Sequence, residues 1–270
     1  MTDTSKLPLD GIRVIDFTQA EQGPIGTLQL ADFGADVIKI ERPGVGDLSR
    51  HTVGGTSIEA TNNPTYVAMN RNKRSMELDT KSEAGKQVIY ELVKKSDVVV
   101  NNFRPGVMDK LGFSYEKLKE INPRIVFASA TGYGPEGPNV KKPGQDMVAQ
   151  AVTGFMYETA DPSVPQSIVP TAICDYTGGM HLCQGIMAAL IGREKTGLGR
   201  KVDVCLYDSM IHTQLQEAAF WSKYKQVLNW AAMPLAIHAE AKDGPIVVIG
   251  AFMPNPLQAM SAAMEIDDLT

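Results

Sequence analysis

Cysteine and histidine, the residues that most often carry metal or nucleophile chemistry, are both scarce in this 270-residue chain. Cys174, Cys183 and Cys205 form no C-x-x-C pair and have no histidine-rich companion, so neither a zinc site nor a disulfide framework is indicated. His51, His181, His212 and His238 are scattered, and the G-x-S-x-G, P-loop and H-E-x-x-H motifs are all missing. A serine or cysteine nucleophile would therefore lack its customary base. Positive charge is not in excess either: 26 Lys and Arg stand against 31 Asp and Glu, a net charge of −5. That argues against general nucleic-acid binding, while local cation clusters could still hold a small anion. No run approaches the roughly 18 uncharged apolar residues of a membrane span, and the opening MTDTSKLPLDG has no secretory apolar core. Internal repeats and low-complexity tracts are absent as well. Together these gaps predict a soluble, cytoplasmic chain with no membrane or nucleic-acid partner.

What is present is ordinary globular material: 43% hydrophobic and 21% charged residues, in a length that can bury a large core. Strand-like and helix-like segments alternate. GIRVIDF (11–17), DVIKIE (36–41), DVVVNNF (97–103), RIVFASA (124–130) and RKVDVCLYD (200–208) read as strands. Between them GPIGTLQLADFGA, KSEAGKQVIYELVKKS (81–96) and SYEKLKEIN read as helices, and a long helix is expected from about 208 to 231. Repeated strand–helix–strand order predicts an α/β fold with a mostly parallel sheet covered on both faces. Such sheets bind ligands at the carboxyl ends of their strands. After Met233 the pattern thins to a turn at Asp243–Gly244, one strand and one helix, which reads as the start of a smaller second domain.

Several stretches could carry chemistry. GYGPEG (132–137) fits G-x-G-x-x-G, but Pro135, Pro138 and Pro143 crowd it and no helix start follows, so a loop is the expected reading. NRNKRS (70–75) is either a solvated turn or a phosphate seat. KIERPGVGD (39–47) ends a strand at Arg42 and enters a glycine-rich loop, which suits an anion at the sheet edge. His181 and His212 sit in apolar helical contexts and read as packing residues. Asp175, in TAICDYTGGMHL, is placed to cap the helix that follows. A carboxylate there would also be held ionised by the helix dipole. Gly178 and Gly179 would let a bulky ligand approach the backbone. Such a carboxylate can attack an activated acyl group without a base. Cap and nucleophile both remain open on this stretch alone.

Six motifs then occur together and in order: LDGIRVIDFTQAEQGP, LADFGADVIKIERPGVGDLSR, MNRNKRSMELD, NNFRPGVMDKLGF, INPRIVFASATGYG and CDYTGGMHLCQGIMAALIGREKTGLGRKVDVCLYDSM. They closely resemble the class III CoA-transferase family, which includes formyl-CoA:oxalate and carnitine CoA-transferases and has α-methylacyl-CoA racemase as a relative. The resemblance implies a large Rossmann-like CoA-binding domain over 1–232 and the opening of a small domain over 233–270. It implies transfer of CoA from an acyl-CoA donor to a carboxylic acid through a covalent aspartyl intermediate on Asp175. Coenzyme A or acyl-CoA is then a substrate, with no permanently bound cofactor and no metal. CoA contacts are implied for Arg42, Asn72, Lys73, Arg74, Asn102, Phe103 and Lys110, the last standing where some members carry arginine.

Glu21 stands where the formyl-CoA enzyme has an active-site glutamine, which speaks against formyl or oxalate specificity. Racemases of the superfamily place a histidine before the aspartate in the segment matching PGQDMVAQ; here Gln145 precedes Asp146, and an amide cannot exchange a proton near neutral pH. The resemblance therefore favours transferase over racemase, with Glu21, Gln145 and Asp146 as supporting residues. Family members are considerably longer and form an interlocked homodimer. The chain is accordingly expected to stop inside the small domain, with a truncated CoA-binding subunit that needs a partner as a further alternative.

Overall fold

The β-branched runs are the strands of a parallel sheet, and the segments between them return along its two faces. The computed structural model describes residues 6–51, 63–157, 165–230, 236–250 and 253–268. They fall into two compact units: Met1–Thr153 with Val169–Thr213, and Gly154–Ile168 with Gln214–Thr270. In chain order the first holds β1 (Arg13–Asp16), α1 (Gln22–Asp32), β2 (Asp36–Glu41), α2 (Pro64–Asn70), β3 (Arg74–Glu77), α3 (Glu83–Val93) and β4 (Val98–Asn101). It continues with α4 (Val107–Leu111), α5 (Tyr115–Ile121), β5 (Val126–Thr131), α6 (Asp146–Val152), α7 (Ile173–Thr196), β6 (Lys201–Cys205) and α8 (Leu206–Thr213).

The six strands lie in the order β3-β2-β1-β4-β5-β6, and every ladder is parallel. From β1 the chain steps outward through β2 to β3, then returns to build β4 on the other side of β1. The order therefore reverses between β1 and β4, the place where open α/β sheets bind ligands. Side chains alternate across the sheet. Val14, Val37, Val98 and Val100 join Leu30 of α1 with Leu182 and Ile186 of α7 in one apolar layer. Ile15, Ile38, Ile40 and Val99 face Ile89 and Val93 of α3 and Leu118 of α5 in the other. Each such burial contributes about 1.5–3 kcal/mol, so the two layers fix strand register on both faces at once.

The α1–α7 contact depends on glycine. A Cβ at Gly26 would lie 2.8 Å from Leu182 Cδ2, and one at Gly179 would lie 2.8 Å from the Gln22 carbonyl oxygen. The glycine of each helix receives a side chain of the other, Leu182 over Gly26 and Ile25 over Gly179, so the helices approach closely. Gly178 and Gly179 are buried against α1 rather than open to a bulky ligand as the sequence suggested.

The second unit contains α9 (Leu215–Tyr224), β7 (Ala236–Ala241), β8 (Gly244–Ile249) and α10 (Pro256–Met264). β7 and β8 form an antiparallel hairpin turning at Lys242–Asp243, so the single strand expected here is two. The long helix expected over 208–231 is also corrected. The strand before it ends at Cys205, and the helical stretch breaks at Gln214, whose backbone (φ −101°, ψ 36°) leaves the helical region. Just before the break, the Thr213 hydroxyl donates back to the Ser209 carbonyl at 2.9 Å, a local bond that weakens helix continuation. Among the described residues no helix is long and apolar enough to cross a membrane.

Candidate active site

The loop leaving β1 runs over the point where the strand order reverses, and buried charge holds it there. Asp16, Lys39 and the Lys73 side chain are almost completely buried. Asp16 accepts from the Thr18 amide (2.8 Å) and hydroxyl (2.5 Å) and from the Thr27 hydroxyl (2.7 Å), and pairs with Lys73 at 3.3 Å. Lys39 donates to the Thr18 carbonyl and pairs with Asp47, both at 2.7 Å. Burial alone would raise the Asp16 pKa; the ammonium groups of Lys73 and Lys39 and the two hydroxyls win, and it is held below the ordinary carboxylate value. Burial brings Lys73 down to about 8, against the opposing pull of Asp16. Across the reversal, Asn102 clamps Gln19 from both sides: its Oδ1 accepts the Gln19 amide (2.8 Å) and its Nδ2 donates to the Gln19 carbonyl (2.7 Å).

Above this base three carboxyl groups gather. Glu21 precedes α1, Asp146 begins α6, and Asp175 lies within the first turn of α7. The expected N-cap role of Asp175 is not what the structure shows. Ala172 occupies that position, and the capping oxygen comes from Asp146, whose Oδ2 accepts the amides of Cys174 (2.7 Å) and Asp175 (3.0 Å). Asp146 Oδ1 accepts Gln150 Nε2 at 2.7 Å, so this carboxylate is fully engaged in joining α6 to α7. The Asp175 carboxyl instead meets the Gln22 backbone N–H at the start of α1.

The dipole does not keep Asp175 in the ordinary range. Burial first, then the charges of Asp146 and Glu21, push it up to about 7, with the Gln22 amide opposing. Glu21 is raised by burial and by Asp146. Among the described residues no group of three acidic, histidine or cysteine side chains is arranged to hold a metal ion. Chemically, the arrangement offers a half-buried carboxyl that shares its proton near neutrality, with a backbone donor beside it.

The residues expected to hold CoA do not all converge. Arg42 is exposed just beyond β2 and lines a cavity of about 480 Å³ together with Gln19, Lys81, Phe103, Val107 and Leu111. Phe103 also borders two further cavities of about 400 and 220 Å³, the smaller of which includes Asn102 and Gln145. Lys110 is exposed in the last turn of α4, the helix that supplies Val107 and Leu111. Arg74 pairs with Asp36 at 2.7 Å, and its Cα partner is Ile38. At about 3.3 Å per residue it sits ~13 Å back from Arg42 along the strand direction. Asn72, in the left-handed region at φ 62°, donates to Asp32 at 2.8 Å. Lys73 points inward to Asp16. The NKR segment is thus an exposed turn rather than a cation cluster: Asn72 and Arg74 face solvent while bonded to Asp32 and Asp36, and Lys73 alone is turned inward.

A family model described as CoA-transferase family III matches residues 9–270. The chain belongs to that family. Formyl-CoA:oxalate CoA-transferases from Escherichia coli O139:H28 and Shigella boydii serotype 18 are each 43% identical over 205 residues, 76% of this chain and 49% of theirs. The chain thus spans about half the length of these curated relatives. Among solved structures, a CAIB/BAIF family protein from Brucella suis superposes with a TM-score of 0.86 at 31% identity, over 97% of this chain and 70% of its own. The hypothetical protein Rv3272 from Mycobacterium tuberculosis gives 0.84 at 33%, over 97% and 69%.

Within this family III chain the remaining motifs find plain roles. No helix opens on GYGPEG; its loop is pinched at the base, where a Cβ on Gly132 would lie 2.4 Å from the Gly144 Cα. His181 and His212 pack edge to face at 4.8 Å between ring centres, with His181 Nδ1 3.0 Å from the Ser209 hydroxyl. Gln145 is exposed and makes no side-chain cap for α6. Sequence reasoning missed Asp16, Lys39 and Gln22. The first two were signalled by charge inside otherwise apolar strands. Gln22 was signalled by nothing local: its side chain is 5% exposed, and its Nε2 is buried with no partner among the described residues.

Proposed function

We propose that the chain is the CoA-binding and nucleophile-bearing part of a CoA-transferase, moving CoA from an acyl-CoA to a carboxylic acid through Asp175. The observation that carries this reading is the setting of the Asp175 carboxyl: half-buried, next to the Gln22 N–H, and one helix turn from Gly178, over which the Gln22 side chain lies. Its ionised oxygen attacks the donor thioester carbon; the C–S bond breaks and CoA leaves as thiolate, giving a mixed anhydride. The thiolate then attacks the aspartyl carbonyl and expels the donor's carboxylate, leaving an aspartyl-CoA thioester. The acceptor carboxylate attacks in turn, and a second anhydride exchange returns Asp175 as carboxylate and releases the new acyl-CoA. Every step exchanges one acyl bond for another, so thioester energy is conserved.

A carboxylate with a raised proton affinity is also a stronger nucleophile toward an acyl carbon than an ordinary one, provided the pH leaves it ionised. Asp146 acts here as a positioning residue, since both its oxygens are committed to backbone and Gln150 donors. For CoA we assign the cavity beside Arg42, with Lys81 as a second cation and Phe103 and the Asn102-clamped Gln19 forming its wall. Lys110 is exposed on the helix that adds Val107 and Leu111 to that wall. Lys73 then serves the loop beneath the ligand through Asp16, while Asn72 and Arg74 are held by Asp32 and Asp36 farther back. The three cysteines are free and buried, in keeping with a reducing, cytoplasmic setting. A homodimer, interlocked as the family resemblance implies, would complete the protein.

The test is intact-mass measurement after incubation with an acyl-CoA panel, followed by hydroxylamine trapping. An adduct mapping to Asp175 and lost in Asp175→Ala supports the reading. CoA binding with no adduct from any donor would leave a binding subunit instead, and solvent deuterium entering the α-carbon without an acceptor acid would mark a racemase.

A further inference from the structure

The Gln22 side chain has a donor that the folded chain does not use. Its Nε2 is buried without a partner among the described residues, yet the carboxamide lies against α7: a Cβ added at Gly178 would lie 2.6 Å from that nitrogen. Gly178 follows Asp175 by three residues, so the two share one helix face. The backbone N–H of the same glutamine already meets the Asp175 carboxyl. One residue thus brings two donors to the reactive side of α7, one engaged and one idle. Buried donors are ordinarily satisfied, and an exception calls for an acceptor that arrives later.

We propose that the Gln22 carboxamide is the side-chain donor for the carbonyl oxygen of the acyl group transferred at Asp175. This rests on the reading of Asp175 as nucleophile. As the Asp175 oxygen bonds to the thioester carbon, the carbonyl π pair moves onto its oxygen. That oxyanion takes the Gln22 N–H, the π bond re-forms, and the thiolate leaves with the C–S electron pair. The carboxamide reaches the oxygen by turning off Gly178, which is open to it only because residue 178 has no Cβ. A neutral amide suits this role because, unlike lysine or arginine, it does not neutralise the attacking carboxylate before reaction. The neighbouring Glu21 and Asp146 are acceptors when ionised and cannot replace it.

The experiment is single-turnover adduct formation by the full chain across a range of acyl-CoA concentrations, for wild type, Gln22→Met and Gln22→Ala, with thermal unfolding of each. The expected result is a drop of about 10²-fold in the limiting rate, little change in the half-saturating acyl-CoA concentration, and an unfolding midpoint no lower than wild type for Gln22→Met. A limiting rate unchanged in both variants overturns the proposal while leaving Asp175 as nucleophile. So does a rate loss that appears only together with a lowered midpoint. Failure of the wild-type chain to form an adduct with any donor overturns the nucleophile reading itself, and this proposal with it.

Discussion

Two groups of charged side chains flank the loop after β1, and they are built on opposite rules. Beneath the loop, Asp16 and Asp47 face Lys39 and Lys73, charge against charge, at 2.7 Å and 3.3 Å. Above it, Glu21, Asp146 and Asp175 are all acidic, and backbone amides donate to Asp146 and Asp175. Both groups are taken out of water, which by itself raises any carboxyl pKa. In the lower group the cations overturn that effect and Asp16 falls below its ordinary value; in the upper group like charges add to it and Asp175 rises to about 7. Balanced charge yields a fixed platform, and unbalanced charge yields a group able to change state.

The contrast can be broken from either side. Lys73→Met leaves Asp16 buried without its nearer cation and should cost about 3–5 kcal/mol in urea unfolding. A loss under about 1 kcal/mol, the size of an exposed pair, would mean that the lower group is not held by pairing. Gly179→Ala forces a methyl toward the Gln22 carbonyl and Ile25, opening the seam that keeps α1 against α7. We expect about 1–3 kcal/mol of destabilisation and a lower adduct rate at saturating acyl-CoA, read by thermal melts and intact mass. Arg42→Ala should raise the KM for acyl-CoA about tenfold, the size of one lost charge-assisted contact. Arg74→Ala, whose partner is Asp36, should leave KM unaltered; equal effects would contradict the separation of the two arginines along the strand.

The smallest effect sharpens the contrast. With Asp175 as the proposed nucleophile, the rate of adduct formation should climb with pH through about 7 and level off above. Glu21→Gln removes one of the charges that raise Asp175 and should move this midpoint down by up to about one unit. For stability the sign is reversed. Because the folded chain binds the Asp175 proton more tightly than the unfolded one, its stabilising share is whole below the ordinary value of 3.8 and is lost as pH climbs through about 7. Asp175→Asn should therefore flatten the decline in stability over that range, as followed by denaturant midpoints at a series of pH values.

Much of the sheet could be read from the residues, because buried parallel strands announce themselves. DVIKIE forms β2 from end to end, and the expected parallel α/β sheet is the one observed. What failed was whatever depended on a partner distant in sequence. Asp175 looked like a cap because acidic residues near helix starts usually are; the true capping oxygen belongs to Asp146, on a helix of its own. Lys73 looked solvent-facing with its neighbours because no local pattern tells a lysine that its counter-ion lies in β1. The break at Gln214 depends on one residue's dihedral angles, which apolar periodicity does not register. The resemblance singled out Asp175 by position but carried no information on Gln22, whose Nε2 is marked only by the lack of a partner among the described residues.

The crossing of Gly132 over Gly144 has a consequence for change over time. Residues 133–143 leave and re-enter the fold through one knot of backbone, and they form part of the wall of the cavity beside Gln145. A segment tied off at its own base works like an interchangeable cassette. Its length and side chains can be rewritten by grafting between the two glycines while the strands and Asp175 stay where they are. The wall of that cavity can change there without renegotiating the core.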